Sequence, residues 1–321
     1  MDAAAGGVTL DDIEAAAERI GGRVRRTPCI RSRLNLNPLN PSWDGELLLK
    51  LECLQVTGSF KARGANNAIL SLDKAAVRRG IVTASGGNHG LAVAYAGHAS
   101  ETSTMIYLPA RTPPEKAEKL RAWGAEVVIE GDLWDDANEA ALKRAERDGL
   151  TYIHPFADPR VIAGQGTVGR EMLKQSSHMD VMVVAVGGGG LISGIATAAK
   201  AIKPDIRVIG VEPVGAPTLS RSLEQGEVVT LPGIETQALT LAPRRSAAIN
   251  LAIVRRHVDE IVLVSDDEMR AAARWLWFEA GVAAELAGAA ALAALQSGKI
   301  AVPDDASVGA VICGAGTDGI T

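Results

Sequence analysis

Cysteine is scarce. The 321 residues hold three, Cys29, Cys53 and Cys313. The number is odd and no Cys-x-x-Cys pair occurs, which argues against a disulfide framework and a thiolate zinc site. A reducing cytoplasm is the compartment that suits such usage. Excess positive charge is missing too. Lys and Arg number 33 against 38 Asp and Glu, a net charge of −5. The basic footprint of a nucleic-acid-binding protein is therefore lacking, and mild acidity of this kind serves solubility. There is no long uninterrupted apolar segment. The most apolar run, Ala280 to Leu295, carries Glu285 within it and is too short to span a bilayer; it reads as a buried, alanine-rich helix. Met1-Asp2-Ala3 lacks the basic-then-apolar pattern of a secretory signal. Internal repeats and low-complexity linkers are also absent, which excludes fibrous and disordered classes.

What is present is ordinary for a globular protein: 47% hydrophobic and 22% charged residues. The length suits two domains of about 150 residues each, enough to bury a core without staples. Strand and helix signals alternate. Thr9-Leu10-Asp11-Asp12 opens a capped helix that stops at Gly21-Gly22. Strands are expected at 46–52, 80–85, 104–108, 126–129, 181–186, 207–211, 261–264 and 308–313. Helices are expected at 60–72, 88–98, from Pro113-Pro114 to about Gly124, and at 134–148, 191–202, 266–280 and 285–296. Continuous apolar strands between helices imply parallel sheet covered on both faces. The stretch 226–246 is the least regular.

Four segments could carry chemistry. Gly187-Gly188-Gly189-Gly190 follows a buried strand and precedes a helix. Glycines there let backbone N–H groups surround an anion, and the helix N-terminus adds partial positive charge. The run lacks the Gly-Lys-Ser/Thr of a Walker loop. It also fails G-x-G-x-x-G, because Ile192 or Ser193 stands at the third glycine, although Glu212 ends the next strand as a ribose-binding acid would. Thr57-Gly58-Ser59-Phe60-Lys61 places a lysine at a helix start beside an apolar strand. Desolvation lowers the pKa of such an amine and makes it a nucleophile able to form a Schiff base. Ser85-Gly86-Gly87-Asn88-His89-Gly90 is another strand end, tight turn and helix start, suited to a carboxylate. Val311 to Gly316 places Cys313 at the end of the last strand. Taken singly, each also fits a plain reading: a glycine turn, a solvated lysine, an Asn-capped turn or a buried structural cysteine.

Together and in this order, the segments resemble the pyridoxal-phosphate enzymes of the tryptophan-synthase-β type, fold type II. Among these the chain is most similar to threonine/serine dehydratases and serine racemases. Lys50-Leu51-Glu52, His154 to Pro159, Val161 to Thr167, Gly210 to Pro213 and Glu285 to Ala291 extend the match over nearly the whole chain. The resemblance implies two open, mostly parallel twisted sheets covered by helices, in a larger domain (1–52 and 158–321) and a smaller mobile one (53–157). It implies that Lys61 holds pyridoxal phosphate as a Schiff base, with Phe60 beside the ring and Asn88 at the ring hydroxyl. Gly187, Gly188, Gly189, Gly190 and Leu191 would cradle the phosphate, and Cys313 would face the pyridine nitrogen. Ser85, Asn88 and His89 would receive the substrate carboxylate. Freed Lys61 would then remove the α-proton, the ring would take up the charge, and the β-hydroxyl would leave. A neutral thiol at the ring nitrogen is a weak donor, which favours prompt elimination over transamination.

Departures from the pattern select among relatives. Gly86 stands where racemases carry a second serine as the opposite-face acid/base, and Phe156 is the residue of threonine dehydratases. No arginine lies near Ala137, as it can in relatives acting on 3-hydroxyaspartate. Dehydration of L-threonine or L-serine is therefore expected, with phenylserine, 3-hydroxyaspartate and racemisation as alternatives. Glu212 and the Ala216 carbonyl match two ligands of a divalent-cation site in relatives, but Thr218 replaces the third, which weakens a hard-cation site. Glu235-Thr236-Gln237-Ala238 replaces a common Asp-Gly step, so an unusual side chain on the substrate is also in view. The sequence stops at Thr321, soon after Cys313, so the isoleucine-type feedback of relatives with a C-terminal regulatory domain is not expected. A cytoplasmic homodimer or homotetramer acting on a small amino acid, without nucleic acid or membrane, completes the expectation. Two rivals remain open: a nicotinamide-dependent oxidoreductase using Gly187 to Gly190 and Glu212, and a non-catalytic sensor on the same fold.

Overall fold

The computed structural model describes residues 7–32, 36, 39, 43 and 45–320; Met1-Asp2-Ala3 and Thr321 lie outside them. In chain order the strands are β1 (Cys29–Ser32), β2 (Glu46–Leu51), β3 (Ile81–Ala84), β4 (Thr104–Leu108), β5 (Glu126–Ile129), β6 (Thr151–Tyr152), β7 (Val181–Ala185), β8 (Arg207–Pro213), β9 (Glu260–Val264) and β10 (Ser307–Ile312). The helices are α1 (Leu10–Arg19), α2 (Lys61–Leu70), α3 (Lys74–Arg79), α4 (Asn88–Ala99), α5 (Pro114–Ala122), α6 (Trp134–Asp148), α7 (Pro159–Gln175), α8 (Gly190–Ile202), α9 (Thr218–Gln225), α10 (Ala248–His257), α11 (Asp266–Ala280) and α12 (Leu286–Gln296).

The strands form two sheets. The larger has the order β1-β2-β10-β7-β8-β9 and the smaller β5-β4-β3-β6. Every pairing is parallel except β1 with β2. The smaller sheet draws its strands only from residues 81–152, and the larger from both sides of that segment. β7 and β10 are buried along their whole length, as expected of strands covered on both faces. The apolar run 280–295 is not one helix. Gly281, at φ +63°, ends α11, and Glu285 stands at the N-cap of α12. α12 itself is buried throughout and packs under the large sheet. No helix of the described residues is long and apolar enough to cross a membrane.

α7 is the spine that joins the two functional helix starts. It meets α2 so closely that a Cβ on Gly164 would stand 2.6 Å from Gly64 Cα. It meets α8 just as closely, since a Cβ on Gly194 would stand 2.9 Å from Gly166 Cα. Only glycine allows such backbone-to-backbone approach. A buried charge cluster fixes α2 from the other side. Arg63 makes a bidentate pair with Glu52, at 2.8 and 2.7 Å, and bonds Glu171 on α7 at 2.8 Å; Lys50 on β2 reaches Glu171 at 2.8 Å. Arg63, Glu52 and Lys50 are all fully buried. Buried charges persist only when paired in this way.

Candidate active site

The lysine loop is pinned to the end of β10. Phe60 N–H donates to Cys313 O at 3.2 Å, and Ala315 N–H donates to Gly58 O at 2.8 Å. The turn that makes this approach holds Thr57 at φ +63° and Gly58 at φ +81°, a left-handed conformation that costs a β-branched residue about 1–3 kcal/mol. Lys61 is the first residue of α2. Its Nζ donates to Pro155 O at 2.8 Å and lies 5.1 Å from the Phe60 ring centroid. Burial pushes the amine down from 10.5 to about 8, against the opposing pull of Cys313 and Glu285. That shift is the one a nucleophilic or proton-accepting lysine needs.

The glycine loop meets the lysine through Pro155 and Phe156. The chain from Gly187 to Gly189 turns out of β7 into α8, with Gly189 at φ +93°. Any Cβ on Gly188 would enter the Phe156 ring, and one on Gly190 would come to 2.9 Å from Phe156 Cα. Phe156 is held in turn. Its carbonyl accepts from Asn250 Nδ2 at 3.1 Å, and the N–H groups of Phe156 and Ala157 donate to His154 Nδ1 at 3.2 and 2.9 Å. Accepting there fixes the hydrogen of neutral His154 on Nε2; burial and the Lys61 charge hold its pKa down to about 4. Ser246 Oγ donates to Gly188 O at 3.0 Å. The backbone amides of 187–190 at the start of α8, with Leu191 buried, are placed where they could take an anion.

The third loop rises from β3. Gly87 N–H donates to Ser85 Oγ at 3.3 Å, and Asn88 opens α4. Asn88 Nδ2 donates across to Glu285 Oε1 at 2.8 Å. His89 turns inward instead: its Nε2 lies 3.0 Å from Ile153 O, and burial, helped by Lys61, drives its pKa down to about 3. A carbonyl only accepts, so Nε2 carries the hydrogen, and the neutral ring brings no charge to a carboxylate. Cys313 Sγ donates to Ala287 O at 3.4 Å, and burial raises its pKa strongly, so the thiol stays protonated.

Glu212 and Ala216 do not fit a hard cation. The Glu212 carboxyl accepts from Leu219 N–H at 2.7 Å, Ser220 N–H at 2.9 Å and Ser220 Oγ at 2.8 Å. Ala216 O accepts from Thr218 N–H at 2.9 Å, while Thr218 Oγ1 turns to Pro243 O at 2.7 Å. These atoms cap α9. Among the described residues no group of three or more His, Cys, Asp and Glu side chains could hold a metal ion.

Glu285 is the site group that sequence reasoning left without a role. Its Oε1 also accepts from Thr240 Oγ1 at 3.3 Å. Burial and Asp318 push its carboxyl up to about 7, while Asn88, Thr240 and Lys61 pull it down. The signal was legible, since an acid inside an otherwise apolar run marks a perturbed and therefore candidate functional group. Thr240 had no comparable mark, because it lies in the irregular stretch.

The chain matches the family model described as pyridoxal-phosphate dependent enzyme over residues 20–314. It is 41% identical over 288 residues to an L-threonine ammonia-lyase of Thermotoga maritima, covering 90% of this chain and 71% of that protein. It is 36% identical over 316 residues to a phenylserine dehydratase of Ralstonia pickettii, covering 98% and 95%. The solved structure of maize serine racemase superposes with a TM-score of 0.91 at 34% identity, covering 96% of this chain and 94% of that one.

Proposed function

The chain belongs to the pyridoxal-phosphate-dependent enzymes, and within that family we propose that it is an ammonia-lyase converting L-threonine or L-serine to a 2-oxo acid and ammonia. The observation that carries the reading is the Lys61 amine, lowered to about 8 and bonded to Pro155, on the segment whose next residue lies against the glycine loop.

The residues fit the cofactor. A basic amine of lowered pKa stands at one end and a cradle of backbone amides at the other. The loop between Gln55 and Lys61 leaves two buried hydroxyls, Thr57 Oγ1 and Ser59 Oγ, without a protein partner. When bound, pyridoxal phosphate supplies an electron sink for the charge that develops at the substrate α-carbon. Lys61 is the residue that would hold it covalently and, once released, take the α-proton as general base. Gly187 to Leu191 would bind the phosphate, Asn88 would meet the ring hydroxyl, and Cys313 would stand at the ring nitrogen as a neutral thiol. Ser85 and the N–H groups that begin α4 would receive the substrate carboxylate, with His89 buttressing that turn from inside. Movement of 53–157 against the remainder would shut water out of the cleft. A cytoplasmic homo-oligomer completes the proposal.

Elimination is preferred to racemisation at one named position. A Cβ at Gly86 would stand 3.0 Å from Thr112 Cγ2 and 3.3 Å from Leu108 Cδ2, so a serine base there would require Thr112 to give way. The test is the visible spectrum of the purified protein before and after L-threonine, with 2-oxobutanoate assayed in parallel. A yellow band that shifts while oxo acid accumulates supports the cofactor, Lys61 and the reaction together. A yellow protein that makes no oxo acid overturns the substrate assignment, and phenylserine and 3-hydroxyaspartate are then tried. A protein that stays colourless with added pyridoxal phosphate overturns the whole reading.

A further inference from the structure

Glu285 joins three segments that the proposed reaction needs together. From the N-cap of α12 its carboxyl takes Asn88 at the start of α4 and Thr240 in the loop 239–241, while its own N–H donates to Gly314 O at 3.2 Å, just beyond β10. The Asn88–Glu285 bond joins the small-sheet and large-sheet sides. The approach of Gly314 is so close that a Cβ there would strike the Glu285 carboxyl.

Four titratable groups are coupled to the Lys61 amine: Cys313 and Glu285 raise it, and it lowers His89 and His154. Both histidines are held neutral and the Cys313 thiol is held protonated by burial. Glu285 is thus the group of the four whose charge changes near neutrality. Glu285 is itself faced by Asp318, which shares its sign, by Cys313, by the neutral amide and hydroxyl of Asn88 and Thr240, and by Lys61.

We propose that Glu285 is a positioning residue of the elimination: from the N-cap of α12 its carboxyl fixes Asn88, at the start of α4, to the large-sheet side where Asn88 would meet the cofactor. The charge of Glu285 also favours the protonated Lys61 amine, against the larger effect of burial. The assignment rests on the reading that Lys61 is the cofactor lysine and base.

Glu285→Gln keeps the size and an acceptor oxygen but removes the charge. In the full-length, cofactor-free protein, acylation of Lys61 by acetic anhydride is followed by peptide mass spectrometry across pH. The midpoint is expected to fall by about half a unit or more in the variant. In the loaded enzyme, the pH midpoint of the visible band is expected to move in the same direction. Asp318→Asn is the control that leaves Glu285 and its bond to Asn88 in place. Glu285 is already mostly ionised where Lys61 loses its proton, so removing the like charge is expected to leave the Lys61 midpoint in place. Glu285→Asp keeps the charge and shortens the reach to Asn88. It is expected to restore the midpoint while weakening pyridoxal-phosphate affinity several-fold. An unmoved midpoint in Glu285→Gln, or unchanged pyridoxal-phosphate affinity in Glu285→Asp, overturns the proposal. These labelling results stand apart from turnover: an enzyme inert toward threonine whose Lys61 midpoint still moves would sink the substrate reading and leave the Glu285 assignment intact.

Discussion

Gly164→Ala tests whether the site depends on backbone contact between α2 and α7. The new Cβ would lie 2.6 Å from Gly64 Cα, 2.7 Å from Arg63 O and 2.9 Å from Gly64 N. Carbon contacts settle at about 3.5–4.0 Å, so the helices must part by roughly 1 Å. The atoms struck belong to backbone, which cannot rotate aside. α2 is also held from behind by the bonds of Arg63 to Glu52 and Glu171, so parting strains that cluster or moves Lys61. Alanine gains about 1 kcal/mol of helix propensity over glycine. Overpacking costs about 1–3 kcal/mol, and strain on the buried pair adds to it. The expected outcome is a net loss of about 1–2 kcal/mol in urea unfolding. Displacement of Lys61 by that distance is expected to lower threonine turnover about 100-fold. Gly233→Ala is the control, since a Cβ there meets nothing within 4 Å. A Gly164→Ala protein as stable and active as the parent would refute the reasoning, because the helices would then have room that the packing denies them.

Three further outcomes are expected. Below about pH 8 the Lys61 amine is protonated in the folded and unfolded states alike, so the cofactor-free protein bears the full cost of burying it. Lys61→Met is expected to be more stable there by about 3 kcal/mol, the gap closing as pH rises from about 8 past 10.5; a gap that ignores pH contradicts the desolvation argument. Gly188→Ala drives a methyl into the Phe156 ring and is expected to weaken pyridoxal-phosphate binding at least tenfold by absorbance titration, with Phe156→Ala partly restoring it. Burial raises the Glu212 carboxyl from 4.5 to about 7, so its ionisation destabilises the fold. Glu212→Gln is expected to gain stability over wild type as pH climbs through that window and to hold the gain above it. EDTA is expected to change neither the melting temperature nor turnover.

The alternation of elements was legible because period and punctuation agree. Trp134–Asp148 and Asp266–Ala280 begin and end where their patterns do, and α1 carries the Thr9–Asp12 capping box. The three loops at strand ends were legible because glycine clusters there have few other uses. α7 was not read as a helix. Gly164, Gly166 and Gly169 lower its helix propensity, and the packing that repays them comes from α2 and α8, far away in sequence. β1 and β6 are too short to show a period. The inward turn of His89 and the bond from Asn88 to Glu285 depend on partners 64 and 197 residues away, which no local pattern encodes. The same holds for Glu212, whose capping of α9 is decided by how the chain turns after Pro213.

β10 fills the gap between β2 and β7, and its pairing with β2 brings Ser307 to Glu46 across 261 residues. On the ribosome this orders events. The four strands of the smaller sheet are all made by residue 152, whereas the larger sheet cannot close until β10 emerges. At typical elongation rates the interval is roughly 10–30 s. Once β7 is made, β2 and β7 each await β10 with an apolar edge, the kind of surface that templates association between nascent chains. Neither the Phe60–Cys313 bond nor the Glu285 latch exists before that last strand docks. A newborn chain is therefore expected to pass through a stage in which added vitamin B6 gives no protection, and in which chaperones raise its yield where the cofactor does not.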